Sequence, residues 1–306
     1  MRAAILIPFK AFDKTVKRCV EACRRLDFPD YEIVLLPDQE MECGGVRVIA
    51  TGPIKPSAKR NRGIAETDSE LIALVDADAY PEKGWLKNAA RHLARENVGA
   101  VGGPNLTPPD DSLMQKAGGY VLASLAGGGP HAFKYRIGKQ RAFPDLPSCN
   151  LILKRSCLDS PAFDESLLTG EDVKLCKGIR EKGGMVLYAP DVIVYHSRRP
   201  LFAQHLRQML QYGMNRGQLV KTRFDPLGGP ANFAPSALAV YAVGGAVLLL
   251  RPETAFLYVA PMALYLMFVL GSSVLVSPSN APLVFIGTIA THFAYGIGFL
   301  RGFCVK

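Results

Sequence analysis

A chain of 306 residues is long enough to bury a large core, and its formal net charge of +9 suits an anionic membrane surface. The same charge admits nucleic acid as a partner, but no aromatic–basic module accompanies it, so nucleic-acid binding is not expected. Seven cysteines with no CxxC pair and no His/Cys ligand spacing argue against a zinc site or a disulfide framework and fit a reduced compartment.

The first 225 residues alternate between short apolar runs and helical patterns. Strand-like runs fall at Ala3–Pro8, Tyr31–Leu36, 46–50, Leu71–Val75, Val98–Gly102, 150–153 and 192–195. Helical patterns fit 13–26, 57–66, 82–96, 111–126 and 171–182. Strand–helix alternation predicts an α/β domain with a mainly parallel sheet covered on both faces. The stretch 103–147, rich in Gly and Pro, is expected as a mobile flap. The first eight residues read as a strand and not as a signal peptide, which places 1–225 in the cytoplasm.

The polar residues that follow the strands carry the chemistry. Pro8, Phe9 and Lys10 follow the first strand and Asp38 the second. Ser57 opens a helix that carries Lys59, Arg60 and Arg62, cations suited to phosphate oxygens. The fourth strand ends in Asp76 and Asp78, with one residue between them. Ligands bind at such carboxyl edges in open α/β sheets. Two acids there repel unless a cation lies between them, and a hard divalent ion shared with a diphosphate resolves the conflict. Glu171 and Asp172 open a later helix, where acids also complement the helix dipole. His196 ends the last strand and is metal-capable. Ser148, Cys149 and Asn150 end the Gly/Pro-rich stretch and are candidate ligand contacts.

In this order the motifs resemble a family 2 glycosyltransferase of the GT-A fold, of the processive or lipid-linked membrane type, over about residues 1–200. The resemblance implies a nucleotide-diphospho-sugar in the first half of the domain. Pro8, Phe9 and Lys10 would line the nucleoside, and Asp38 would accept from the base. Lys59 and Arg62 would approach base or phosphates, and Asp76 would contact the ribose or base. Asp78 would ligate Mg2+ or Mn2+, with His196 as a further ligand. Asp172 would be the general base of an inverting transfer, with Glu171 beside it, and Trp85 would be a packing residue. The Gln-x-x-Arg-Trp motif of processive synthases is missing, so polymer synthesis is disfavoured. The expected acceptor is a hydroxyl of a lipid-linked or membrane-proximal glycan. A polyprenyl phosphate is the alternative, and a non-catalytic membrane scaffold is a second.

Beyond residue 199 the composition changes. Residues 200–222 form an apolar stripe at helical spacing, and 197–224 holds no acid, which predicts an amphipathic helix lying at a membrane interface. A turn-rich linker at 225–230 follows. Residues 226–306 then carry only Arg251, Glu253, Arg301 and Lys306 as charges. Three apolar runs, at 233–250, 254–276 and 281–300, approach the ~20 residues that cross a bilayer. The expected organisation is a catalytic domain at 1–199, an interface helix and linker at 200–225, and a transmembrane region at 226–306. The first of the three runs is alternatively re-entrant. The catalytic domain is expected on the cytoplasmic face of the plasma (inner) membrane.

Overall fold

A computed structural model describes residues 1–167, 170–221 and 233–304. The predicted linker at 225–230, Arg223 and Lys306 lie outside the described residues. The chain forms two compact units, Met1–Leu106 with Arg136–Ser197, and Thr107–Tyr135 with Arg198–Lys306.

The strands are β1 (Ala3–Pro8), β2 (Tyr31–Leu36), β3 (Arg47–Val48), β4 (Leu71–Val75), β5 (Ala79–Pro81), β6 (Val98–Gly102), β7 (Asn105–Leu106), β8 (Arg141–Ala142), β9 (Asn150–Lys154), β10 (Met185–Tyr188) and β11 (Val194–His196). Eight of them make the main sheet, in the order β3-β2-β1-β4-β9-β6-β10-β8. The pairs β1–β2, β1–β4, β2–β3 and β6–β10 are parallel, while β9 runs antiparallel between β4 and β6. Every residue of β1 and β4 is buried, as expected for strands covered on both faces. A small second sheet has the order β5-β11-β7.

Helices α1 (Lys14–Cys23), α2 (Pro56–Ala65), α3 (Trp85–Leu93) and α6 (Glu171–Glu181) belong to the same unit. Asp13 caps α1, its Oδ1 accepting from the Thr15 and Val16 amides at 2.8 and 3.0 Å. Trp85 is the packing residue expected. Fully buried, it donates from Nε1 to Asn150 Oδ1 at 2.8 Å. Asn150 Nδ2 in turn donates to the Val192 carbonyl at 2.9 Å. Asn150, itself fully buried, thus ties the sheet together.

The second unit holds α4 (Leu113–Ala123), α5 (Leu125–Gly128), α7 (Ala203–Lys221), α8 (Ala234–Gly244), α9 (Pro252–Val276) and α10 (Ala281–Cys304). The stretch 103–147, expected as a flap, instead contains α4, α5 and a 3-10 turn at Gly129–Tyr135. Ser112 and Gln115 make a reciprocal capping box at the start of α4. Glycines in this stretch serve close packing. A Cβ on Gly119 would run into the Thr107 side chain, and one on Gly128 into the Leu122 carbonyl.

Helix α7 packs along α10 through small residues on both. A Cβ on Gly213 or Gly217 would strike the Tyr295 or Phe299 carbonyl, and one on Gly298 or Gly302 the Leu210 or Met214 carbonyl. The predicted apolar stripe of 200–222 is therefore used against another helix of the chain. Two helical stretches, Pro252–Val276 and Pro278–Cys304, are long and apolar enough to cross a membrane. The first of the three predicted runs is shorter. There α8 ends at Gly244, and a 3-10 turn, Gly245–Leu250, follows the glycine pair, where helix propensity is lowest.

Candidate active site

The carboxyl edge of β4 and the small sheet together build the acidic cluster. After Val75 the chain turns, with the Ala79 amide bonded to the Asp76 carbonyl at 3.0 Å, and enters β5. Strand β5 pairs antiparallel with β11, which sets Ala79 opposite His196. The Ser197 amide bonds the Asp78 carbonyl at 3.0 Å and fixes that register. His196 Nε2 consequently lies 3.0 Å from Asp78 Oδ1. One ligand atom each from Asp76, Asp78 and His196 fall within 4.8 Å of one another.

These donors fit a divalent cation: the two carboxylates suit Mn2+ or Mg2+, and the imidazole favours Mn2+ of the two. The charge balance agrees. Burial of the His196 ring opposes its protonation, but Cys149 and the Asp78 carboxylate outweigh this and raise its pKa to about 10. The acids thus draw positive charge to this point, where an ion would displace the proton and take the neutral ring as ligand.

A second positive charge stands beside Asp76. Arg60 is 3% exposed, and its Nη2 donates to Asp76 Oδ1 at 2.7 Å. Its Nη1 lies 3.6 Å from Glu171 Oε1. Nε and Nη1 are buried without a hydrogen bond among the described residues. Arg60 therefore links the Asp-x-Asp turn to the first turn of α6. Burial, and then the neighbouring Asp172 charge, raise the Glu171 pKa, while Arg60 pulls it back. Gly170, at the start of α6, has φ of 81°, a left-handed conformation that favours glycine. Asp172 Oδ1 accepts from the Val173 amide at 2.8 Å.

The remaining predicted residues divide. Lys59 is buried, and its Nζ donates to Asp38 Oδ1 at 2.6 Å, Thr51 Oγ1 at 2.8 Å and the Phe9 and Leu36 carbonyls at 3.0 and 3.1 Å. It holds Asp38 and the ends of β1 and β2 together, and its ammonium is already committed. Pro8 and Phe9 are buried at that edge, and Lys10 is exposed. Arg62 is not brought to the acids. It lies on the outer face of α2, with Nε 3.1 Å from Glu66 Oε1. Sequence reasoning grouped Arg60 with Lys59 and Arg62 as phosphate-binding cations and gave it no role of its own. Its signal was helical spacing, since Arg60 shares the buried face of α2 with Gly63 and Ile64.

The glycosyltransferase-like family 2 profile matches residues 2–215. The chain belongs to that family. Its fold is GT-A: a mannosyltransferase from Pyrobaculum calidifontis, solved with GDP-mannose and Mn2+, superposes with a TM-score of 0.62 at 17% identity, covering 95% of this chain and 85% of that one. Among curated relatives, the pre-mycofactocin glycosyltransferase of Mycobacterium tuberculosis (strain CDC 1551 / Oshkosh) is 27% identical over 52% of this chain. The chain spans 33% of that relative's length. A dolichyl N-acetyl-α-D-glucosaminyl phosphate 3-β-D-2,3-diacetamido-2,3-dideoxy-β-D-glucuronosyltransferase of Methanococcus voltae is 19% identical over 71% of this chain and 74% of its own.

Proposed function

We propose that this chain moves a sugar from a nucleotide-diphospho-sugar to a hydroxyl of a lipid-linked or membrane-proximal acceptor, with inversion at the anomeric carbon. The observation that carries the reading is the meeting of Asp76, Asp78 and His196 at the end of β4 in a family 2 chain. Asp78 and His196 hold Mn2+ or Mg2+, and Asp76 contacts the ribose. When bound, the ion neutralises charge on the departing diphosphate. Pro8, Phe9, Lys10 and Asp38 receive the nucleoside, with Lys59 orienting Asp38.

Asp172 takes the acceptor proton as the new glycosidic bond forms and the bond to the diphosphate breaks. Glu171 holds the start of α6 to Arg60. The Methanococcus relative, named for a dolichyl-phosphate-linked acceptor, supports an acceptor of that class. The two long apolar stretches support a membrane anchor, with the catalytic unit on the cytoplasmic face of the plasma membrane. The metal-containing Pyrobaculum structure supports Mn2+.

Detergent-purified protein, screened against nucleotide sugars with Mn2+, Mg2+ or chelator, tests the reading. The expected outcome is metal-dependent transfer with an inverted product by NMR, and full turnover in chelator overturns it. Asp172→Asn keeps donor binding but loses kcat toward a hydroxyl acceptor. If the variant still transfers to a polyprenyl phosphate, the acceptor is the phosphate, an anion that needs no base.

A further inference from the structure

We propose that residues 113–128, which interrupt the catalytic sequence between β7 and β8, contact the hydrocarbon of the bilayer alongside α9 and α10. The inference rests on the membrane reading of those two helices and extends it to a segment that hydropathy does not single out.

The first support is how the end of α5 is satisfied. The Ala126 amide donates to Ser272 Oγ of α9 at 2.9 Å. The Ala126 carbonyl pairs with His292 Nε2 of α10 at 3.0 Å, and His292 Nδ1 pairs with Tyr265 of α9 at 2.9 Å. Both backbone groups of one residue are thus served by side chains from two apolar helices. In water such groups find solvent partners at no cost, whereas in hydrocarbon they need protein partners. His292 lies about 16 Å along α10 from Ala281 by helical rise, near the middle of a core roughly 30 Å thick.

The second support is the surface of the segment. Ala117 and Val121 pack with Leu201 and Val284 in one apolar cluster, and a Cβ on Gly287 would press on Val121 and Leu201. On the outward side Leu113, Met114 and Leu125 are 55%, 39% and 56% exposed. Helix α9 likewise presents apolar side chains outward, with Phe256, Leu264 and Met267 more than half exposed.

The third support is charge. Residues 112–144 contain no acid, and Lys116, Arg136, Lys139 and Arg141 lie within or just beyond the segment, while Lys134 is buried. Apolar helix followed by acid-free basic chain is the pattern of an element seated at an anionic membrane surface.

Trp85 is the only tryptophan and is fully buried, so an added indole reports its own surroundings over a constant background. The full chain carrying Leu125→Trp, or Leu113→Trp as an independent site, is reconstituted into phosphatidylcholine–phosphatidylglycerol vesicles with acyl chains brominated or not. Leu264→Trp on α9 and Ile54→Trp in the catalytic unit are references. Bromine is expected to quench the 125 and 113 indoles to a degree comparable with 264, and to leave 54 unaffected. Quenching at 264 without quenching at 125 or 113 overturns the inference and leaves the membrane anchor standing. No quenching at 264 overturns the anchor and this inference together.

Discussion

The catalytic unit and the long helices bury polarity in opposite ways. Around β4 and α2 the buried groups carry full charge, with Lys59 and Arg60 each 3% exposed and each bonded to an aspartate. In α7–α10 the buried polar residues are serines, threonines, an asparagine and a histidine, and close approach is made by glycines meeting carbonyls. Charge held in a dry place costs stability and is retained where chemistry uses it. Helices meant for lipid gain little from hydrophobic contact with one another and rely on small residues and short hydrogen bonds. The difference separates a unit that gathers the acidic cluster of a family 2 glycosyltransferase from one that holds the two long apolar stretches.

The largest expected effect breaks the charged side of the comparison. Asp78→Ala removes a carboxylate from the cluster and takes away the His196 hydrogen-bond partner at 3.0 Å. Turnover should fall on the order of 10²-fold or more, since one hard ligand of a diphosphate-neutralising ion is lost. Mn2+ binding followed by electron paramagnetic resonance should weaken in parallel. Unchanged Mn2+ affinity would show that Asp78 is not a ligand.

On the helical side, two identical substitutions discriminate. Gly298→Ala places a methyl against the Leu210 carbonyl, and the helices must separate, at a cost of about 2 kcal/mol. Gly271→Ala meets nothing within 4 Å and should hold or raise stability, because alanine is the better helix former. Thermal unfolding in detergent compares them. Equal midpoints would mean that α7 and α10 do not pack through glycine.

A finer contrast lies within α2. Arg60→Ala leaves Asp76 and Glu171 facing each other without a countercharge and should destabilise by about 2 kcal/mol, less than for a fully buried pair because both acids keep some solvent. Arg62→Ala removes an exposed i,i+4 pair and should stay within about 0.5 kcal/mol. Chemical denaturation reads both. Similar losses would place the two arginines in equivalent surroundings, contrary to their burial.

That pair also marks how far the sequence could be read. Strand ends are legible because a buried strand is a continuous apolar run, and the residue after it lands at the sheet edge wherever the strand sits. Asp76, Asp78 and His196 were found in that way, and β1, β2, β4 and β6 match their expected bounds. The four-residue β10 hides behind a glycine pair, and β5, β7 and β8 are too short to show a period. Which face of α2 meets the sheet depends on tertiary packing, so Lys59, Arg60 and Arg62 looked alike as phosphate-binding cations. The glycines of 103–147 read as loop signals because close packing and flexibility select the same residue. Sequence alone does not tell those two demands apart.

The smallest effect tests the cost of the buried charge itself. Glu171 has its pKa raised in the folded protein, first by burial and then by Asp172. A folded value above the unfolded one means that the native state holds the proton more tightly, so stability declines as pH rises from the ordinary carboxylate range through the folded pKa. Above that point the ionised side chain is a net burden, which Arg60 relieves only in part. Glu171→Gln removes the burden and keeps the shape. The variant should therefore unfold at a slightly higher temperature than the parent at pH 7. The gap should close as pH falls below the ordinary carboxylate range of about 4, where the parent carboxyl becomes protonated in both states. Turnover should move the other way, because α6 loses its charged tie to Arg60 while Asp172 keeps its carboxylate. A variant less stable than the parent at pH 7 would mean that attraction to Arg60 outweighs burial. In that case Glu171 is held for stability, and any loss of turnover would follow from the loosened helix alone.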